Sequence, residues 1–140
     1  LEKDGGSITV VPRELQAYHD LCQRLVNIRG AIRRANDESN LTVGNVTRSV
    51  ADWLVWRREI APRLQSVYGS MRNGIDRVRK DAQKSGNRTI GPGGEAAPDD
   101  VIVNVSEADL AKWIEDLETI LGELDGKLSL RNALTTIEVP

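Results

Sequence analysis

Proton-transfer chemistry near neutral pH needs a group that titrates there, and this chain offers one. His19 is its only histidine, and Cys22 is its only cysteine. A Ser or Cys nucleophile would need that histidine beside it as general base. His19 follows Tyr18 on a helical pattern but falls off the apolar seam, which reads as a solvated or bundle-edge histidine. Cys22 flanks the same stripe and reads as a buried, inert thiol, of interest only where two copies bring their Cys22 side chains face to face. A single Cys rules out an internal disulfide, and one His with one Cys rules out a His/Cys-dominated zinc site. Carboxylate metal sites in helical bundles use a Glu-x-x-His pair, which does not occur here. Gly91-Pro92-Gly93-Gly94 lacks the Lys-Ser/Thr of a phosphate-binding loop and reads as a linker. No catalytic residue, metal or cofactor is expected.

The cations are the next candidates. Arg72, Arg77, Arg79, Lys80, Lys84 and Arg88 fall within seventeen residues, diluted by Asp76 and Asp81, a basic surface that could track phosphates. The overall charge of −2 and the sequence pI near 5.5 argue against that use. So does the lack of any aromatic residue among these cations to stack bases. Pairing with an acidic helix is the better account, and a nucleic-acid partner is not favoured. Trp53 and Trp56 sit three apart on one helical face, and Trp113 lies on another helix. Core or interface anchors are the plain reading. A membrane-contacting belt beside Arg57, Arg58 and Arg63 is the sharper one. Asn-x-Ser/Thr triplets begin at Asn40, Asn45, Asn87 and Asn104, all in loops or caps where such residues are favoured in any case.

What positions these residues must be mainly aliphatic. The 140 residues are 39% hydrophobic but only 4% aromatic, with no Phe, and suit one domain. The longest apolar runs fall far short of a bilayer span. The chain starts at Leu1 without an initiator Met or a nearby apolar signal segment, a start compatible with trimming or with processing. Residues 1–94 hold 16 Lys/Arg against 10 Asp/Glu, whereas residues 95–140 hold 3 against 11. A basic half and an acidic half therefore meet at the Gly/Pro-rich loop 91–100. Opposite charges of this size favour packing of the halves on each other, or on those of a second copy.

Three helices are expected. The first follows a short extended run, Ile8–Val11, with Pro12 in its first turn. Tyr18, Leu21, Leu25, Ile28, Ile32 and Ala35 then keep a three-four spacing, widened by Leu15, Cys22 and Val26. A turn over 36–45 leads to the second helix, capped by Asn45 or Thr47. Its pattern is Val46, Val50, Trp53, Ile60, Leu64, Val67, Met71 and Val78, with Pro62 kinking or dividing it and Asn73-Gly74 as a further break. A looser basic continuation reaches Lys84. Val101–Val105 reads as a strand, and Ser106 as the cap of the third helix, with Asp109 in capping-box position. Leu110, Ile114, Leu117, Leu121, Leu124 and Leu128 form its seam, broadened by Trp113 and Ile120. Thr135–Val139 closes the chain as another extended run. The three extended runs could pair as a small sheet.

Several short motifs carry a family resemblance. Ile32-Arg33-Arg34-Ala35-Asn36 resembles the Ile-Asn-Arg-Thr-Asn motif closing a helix in the septicolysin-like family of small helical bacterial proteins, with Arg33 for an Asn and Ala35 for a Thr. Val50 through Glu59 is similar to that family's Leu/Ala-rich segment ending in Arg-Asp. Val103 through Leu110, Glu123-Leu124-Asp125 and Asn132 to Val139 resemble its strand, its Glu-Leu-Asp-bearing helix and its tail, where Ala133 replaces a Trp. The resemblance implies a long-helix, self-associating protein without established catalytic residues.

The expectation is thus one mainly α domain, with three long amphipathic helices in a coiled-coil-like bundle and two or three short strands. A basic helical hairpin over about 12–84 leads through the flexible loop 91–100 to an acidic strand-helix-strand over 101–139. The expected function is that of a non-catalytic, oligomerising structural or interaction protein whose partners are itself and other protein subunits, as in a virion or another large assembly. A membrane-active, cytolysin-type protein and a nucleic-acid-binding accessory protein are the alternatives.

Overall fold

Helix α1 runs from Gly6 to Glu38 in the computed structural model, which describes residues 5–138. Its 33 residues are about 50 Å long. The run Ile8–Val11 is therefore helical and not a strand. The reason is that Ile8 and Val11 extend the three-four repeat of Leu15 and Tyr18 upstream, so the run also carries the helical period. Pro12 consequently lies inside α1, where it leaves the Ile8 carbonyl without its usual amide donor.

After α1 the chain forms a hairpin where a plain turn was expected. Strand β1 (Asn40–Val43) pairs antiparallel with β2 (Val46–Ser49), with Val43 opposite Val46. Gly44 takes a φ of +60° in the two-residue connection, a backbone conformation that glycine adopts without penalty. Thr42 and Thr47 share a hydroxyl hydrogen bond of 2.7 Å across the ladder. Asn45 and Thr47 thus belong to the hairpin, and the cap falls to Ser49, whose Oγ accepts from the Asp52 N–H at 3.0 Å.

The second helical rod comprises α2 (Val50–Val55), a π-helical turn (Trp56–Ile60) and α3 (Ala61–Lys84). Pro62 explains the π turn. Having no N–H, Pro62 cannot serve the carbonyl four residues back, and its ring would clash there. The wider turn resolves both, with the Ala61 N–H donating to the Trp56 carbonyl five residues earlier. That turn inserts one residue and rotates the inward face of α3, which keeps the expected Leu64 and Met71 half-buried. Ala61, Ile75 and Ala82 are buried, whereas the expected seam residues Ile60, Val67 and Val78 are exposed. Asn73-Gly74 makes no break, and α3 continues through the basic segment to Lys84.

The loop 91–100 is closed at its base by two short parallel strands, β3 (Thr89–Ile90) and β4 (Val101–Ile102). Only two residues of the expected strand Val101–Val105 pair. Helix α4 (Glu107–Leu134) starts at Ser106, whose Oγ accepts from the Asp109 N–H at 3.2 Å. Replacing Ser106 with Ala will cost about 1 kcal/mol of stability, measurable by urea unfolding. Thr135 leaves α4 in an extended conformation, but Thr135–Glu138 join no strand. Val139 lies outside the described residues.

The fold is mainly α, with three long helical rods and two small two-stranded sheets. Helix α3 packs against α4, α1 packs on α2, and α4 runs back along the second rod. Arg79 of α3 meets Glu107 at the start of α4, and Arg57 in the π turn meets Asp125 near its end at 2.6 Å. The core sits where the β-hairpin, α2 and α4 converge, on Val43, Trp53 and Leu124, with Leu41, Trp56, Ile120 and Leu128 packed against it.

Candidate interaction surface

Self-association needs apolar surface that the chain's own core does not use. On α4, Leu110, Leu117 and Leu124 are buried and Ile114, Leu121 and Leu128 half-buried. This seam is consumed inside the molecule, on α3, α2 and the β-hairpin. Trp53 is 2% exposed. Its indole Nε1 donates to the Leu41 carbonyl at 2.8 Å, its ring meets Trp56 edge-on at 5.5 Å, and the Arg48 guanidinium lies 4.7 Å over it. Trp53 and Trp56 are therefore core anchors of the head. Trp113 is 43% exposed and stacks on Tyr68 with ring centroids 6.2 Å apart.

The α1 seam behaves in the opposite way. Among the described residues, α1 docks on α2 and β2 through its last third, where Ala31 is buried and Ile28 and Ala35 are half-buried; Gly6 at its start is buried as well. Residues 11–26 are exposed on every side. Tyr18 and Leu21 are about two-thirds exposed, and Leu15, Leu25, Val26 and Ile32 follow. Cys22 is exposed with the rest, so within one chain it is not the buried thiol expected. A helix in a protein owes most of its stability to packing of its apolar face. A bare apolar stripe along α1 is the kind of patch that marks contact with another protein or a membrane.

The base of this arm is held by polar contacts that sequence reasoning missed. The Arg131 guanidinium donates to the Ala35 carbonyl at 3.1 Å, to Asn36 Oδ1 at 3.3 Å and to Ser39 Oγ at 2.8 Å. It thereby adds a second donor to the Ala35 carbonyl, which already accepts from the Ser39 N–H, at the C-terminal end of α1, where a cation also suits the helix dipole. Lys127 bonds the Thr42 carbonyl and reaches Glu123 at 2.8 Å, while Glu123 accepts from the Gly44 N–H at 3.1 Å. The acidic half has three basic residues, Lys112, Lys127 and Arg131. That two of them lie one turn apart on the Leu-rich helix was the available signal.

Two carboxylates are tuned by these contacts. Hydrogen bonds from Lys127 and then from the Gly44 N–H hold Glu123 below its ordinary 4.5. The Arg88 guanidinium, followed by the Ala97 N–H, holds Asp100 below its ordinary 3.8 at the base of the 91–100 loop. Lowered carboxyl values mean that the unfolded chain binds protons more readily. Their stabilisation is complete above about pH 4.5 and fades as the pH falls through the folded values. The urea midpoint will drop on acidification below pH 4.5, and Glu123→Gln will lessen the drop.

Of the six clustered cations, Arg79 pairs with Asp76 and Glu107, and Arg88 with Asp100. Arg72, Arg77, Lys80 and Lys84 have no ion pair among the described residues, so pairing with the acidic helix accounts for Arg79 alone. Among the described residues no cluster of His, Cys, Asp or Glu could hold a metal ion, and no helix is long and apolar enough to cross a membrane. No family model, no curated protein and no solved structure matches the chain.

Proposed function

We propose that this chain is a non-catalytic, self-associating structural or interaction protein, one copy of a larger assembly such as a virion. The observation that carries it is the α1 arm, whose apolar stripe is bare from Leu15 to Val26 while the head buries a core of its own. Burying that stripe in an assembly removes apolar area from water and gives the helix the packing that most protein helices depend on. The resemblance to septicolysin-like proteins, which implies self-association, supports the same reading. Sedimentation of the full chain across the micromolar range tests it. Species heavier than 15.4 kDa, growing with concentration, are expected, and one 15.4 kDa species throughout would overturn the proposal.

Arg72, Arg77, Lys80 and Lys84, exposed on α3 without carboxylate partners among the described residues, favour nucleic-acid binding as a second reading. Affinity for duplex DNA or RNA that falls steeply with salt, and is lost in Arg77→Glu with Lys80→Glu, would support it. A membrane-active role has less to work with, because the Trp53 indole it would use is held in the core.

A further inference from the structure

We propose that the α1 arms of two copies pair in parallel and in register along Ile8, Val11, Leu15, Tyr18, Cys22 and Leu25, so that the two Cys22 side chains meet in one layer. The proposal rests on the self-association reading and names its surface and partner. These six residues follow one another at spacings of 3, 4, 3, 4 and 3 within a single unbroken helix, and all six are exposed. A strict three-four repeat does not fit a sheet or a lipid surface best. It fits another helix wound around it with a left-handed twist. The chain's own candidates are engaged, since α3 and α4 pack their seams against each other. A second copy supplies the missing stripe.

The flanking residues choose the orientation. In a parallel pair, the side chain just before one core layer lies beside the residue five positions on in the partner. Glu14 then meets His19 of the second copy, a carboxylate beside a ring that can donate to it. Leu21 meets Val26, apolar against apolar. In an antiparallel pair at full overlap Glu14 would instead lie against Leu21, and one apolar flank would be spent on a charge. The repeat also ends where it should. The next core position is Arg29, where two guanidinium groups would repel, and from Ala31 onward α1 packs on its own head.

The experiment is thiol cross-linking of the full chain with diamide, which takes one hydrogen from each of two Cys22 thiols as their S–S bond forms. In the parallel register the two Cα atoms lie within disulfide reach. In the antiparallel one Cys22 faces Val11, and the two sulfurs are displaced by about 16 Å along the axis. The expected result is a disulfide-linked dimer formed by most of the chain, roughly tenfold or more faster than in Leu15→Lys with Leu25→Lys, while Cys22→Ser still self-associates. A chain that self-associates but does not cross-link overturns this pairing and leaves the broader proposal standing. A chain that stays monomeric overturns both. Cross-linking that the Lys variant matches in rate reports collision and also overturns the pairing.

Discussion

Trp53→Ala will lower the stability of the chain by about 3–5 kcal/mol, enough to unfold a marginally stable domain of this size. Trp53 is 2% exposed and touches three elements at once. Its ring packs with Val43 of the hairpin and Leu124 of α4, and it carries Arg48 above it. Its Nε1–H is the donor that the Leu41 carbonyl uses. Removing the side chain opens a cavity and takes the indole donor from a carbonyl that keeps its place opposite Arg48 in the hairpin ladder, two losses that add. Trp53→Phe separates them, because it keeps most of the packing and gives up the hydrogen bond, at about 1–2 kcal/mol. Urea unfolding followed by circular dichroism measures both. A loss near zero for Trp53→Ala would mean that the hairpin does not dock on α2 and α4 as described.

Leu15→Lys combined with Leu25→Lys will act on association and spare the fold. Both side chains are about half exposed in the single chain, so the unfolding free energy will stay within about 0.5 kcal/mol of the parent. Two charges in the middle of an apolar helix–helix seam have no partner, and self-association will weaken by roughly a hundredfold or more. Sedimentation and urea unfolding on the same samples distinguish the two effects. A destabilised head with unchanged association would place the stripe inside the fold and not at an interface.

The helical content was legible in the sequence because three-four repeats are long in α1 and α4, and Ser106 before the Leu110 seam marks the start of α4. What was not legible has particular causes. The Ile8–Val11 run is rich in β-branched residues yet also in phase with Leu15, and helix won because the longer repeat extends through it. The Gly44-Asn45 hairpin was present as a two-residue turn between Val43 and Val46, but four-residue strands so short give little alternation to see. The second rod's seam was carried straight through Pro62. The π turn that this proline demands moves burial from Ile60, Val67 and Val78 to Ala61, Ile75 and Ala82. Residues of the exposed α1 stripe were identifiable by type. Whether a given stripe faces inward depends on which helices pair, and that choice, α3 with α4 and not with α1, rests on the chain's path through the hairpin.

Amide hydrogen exchange along α1, measured on concentrated and on diluted samples of the full chain, tests the central claim most directly. Coverage of the arm by protein predicts slow exchange over residues 11–26 at high concentration and fast exchange on dilution, with α4 unchanged in both. Exchange over residues 11–26 that is equally fast at every concentration would contradict it.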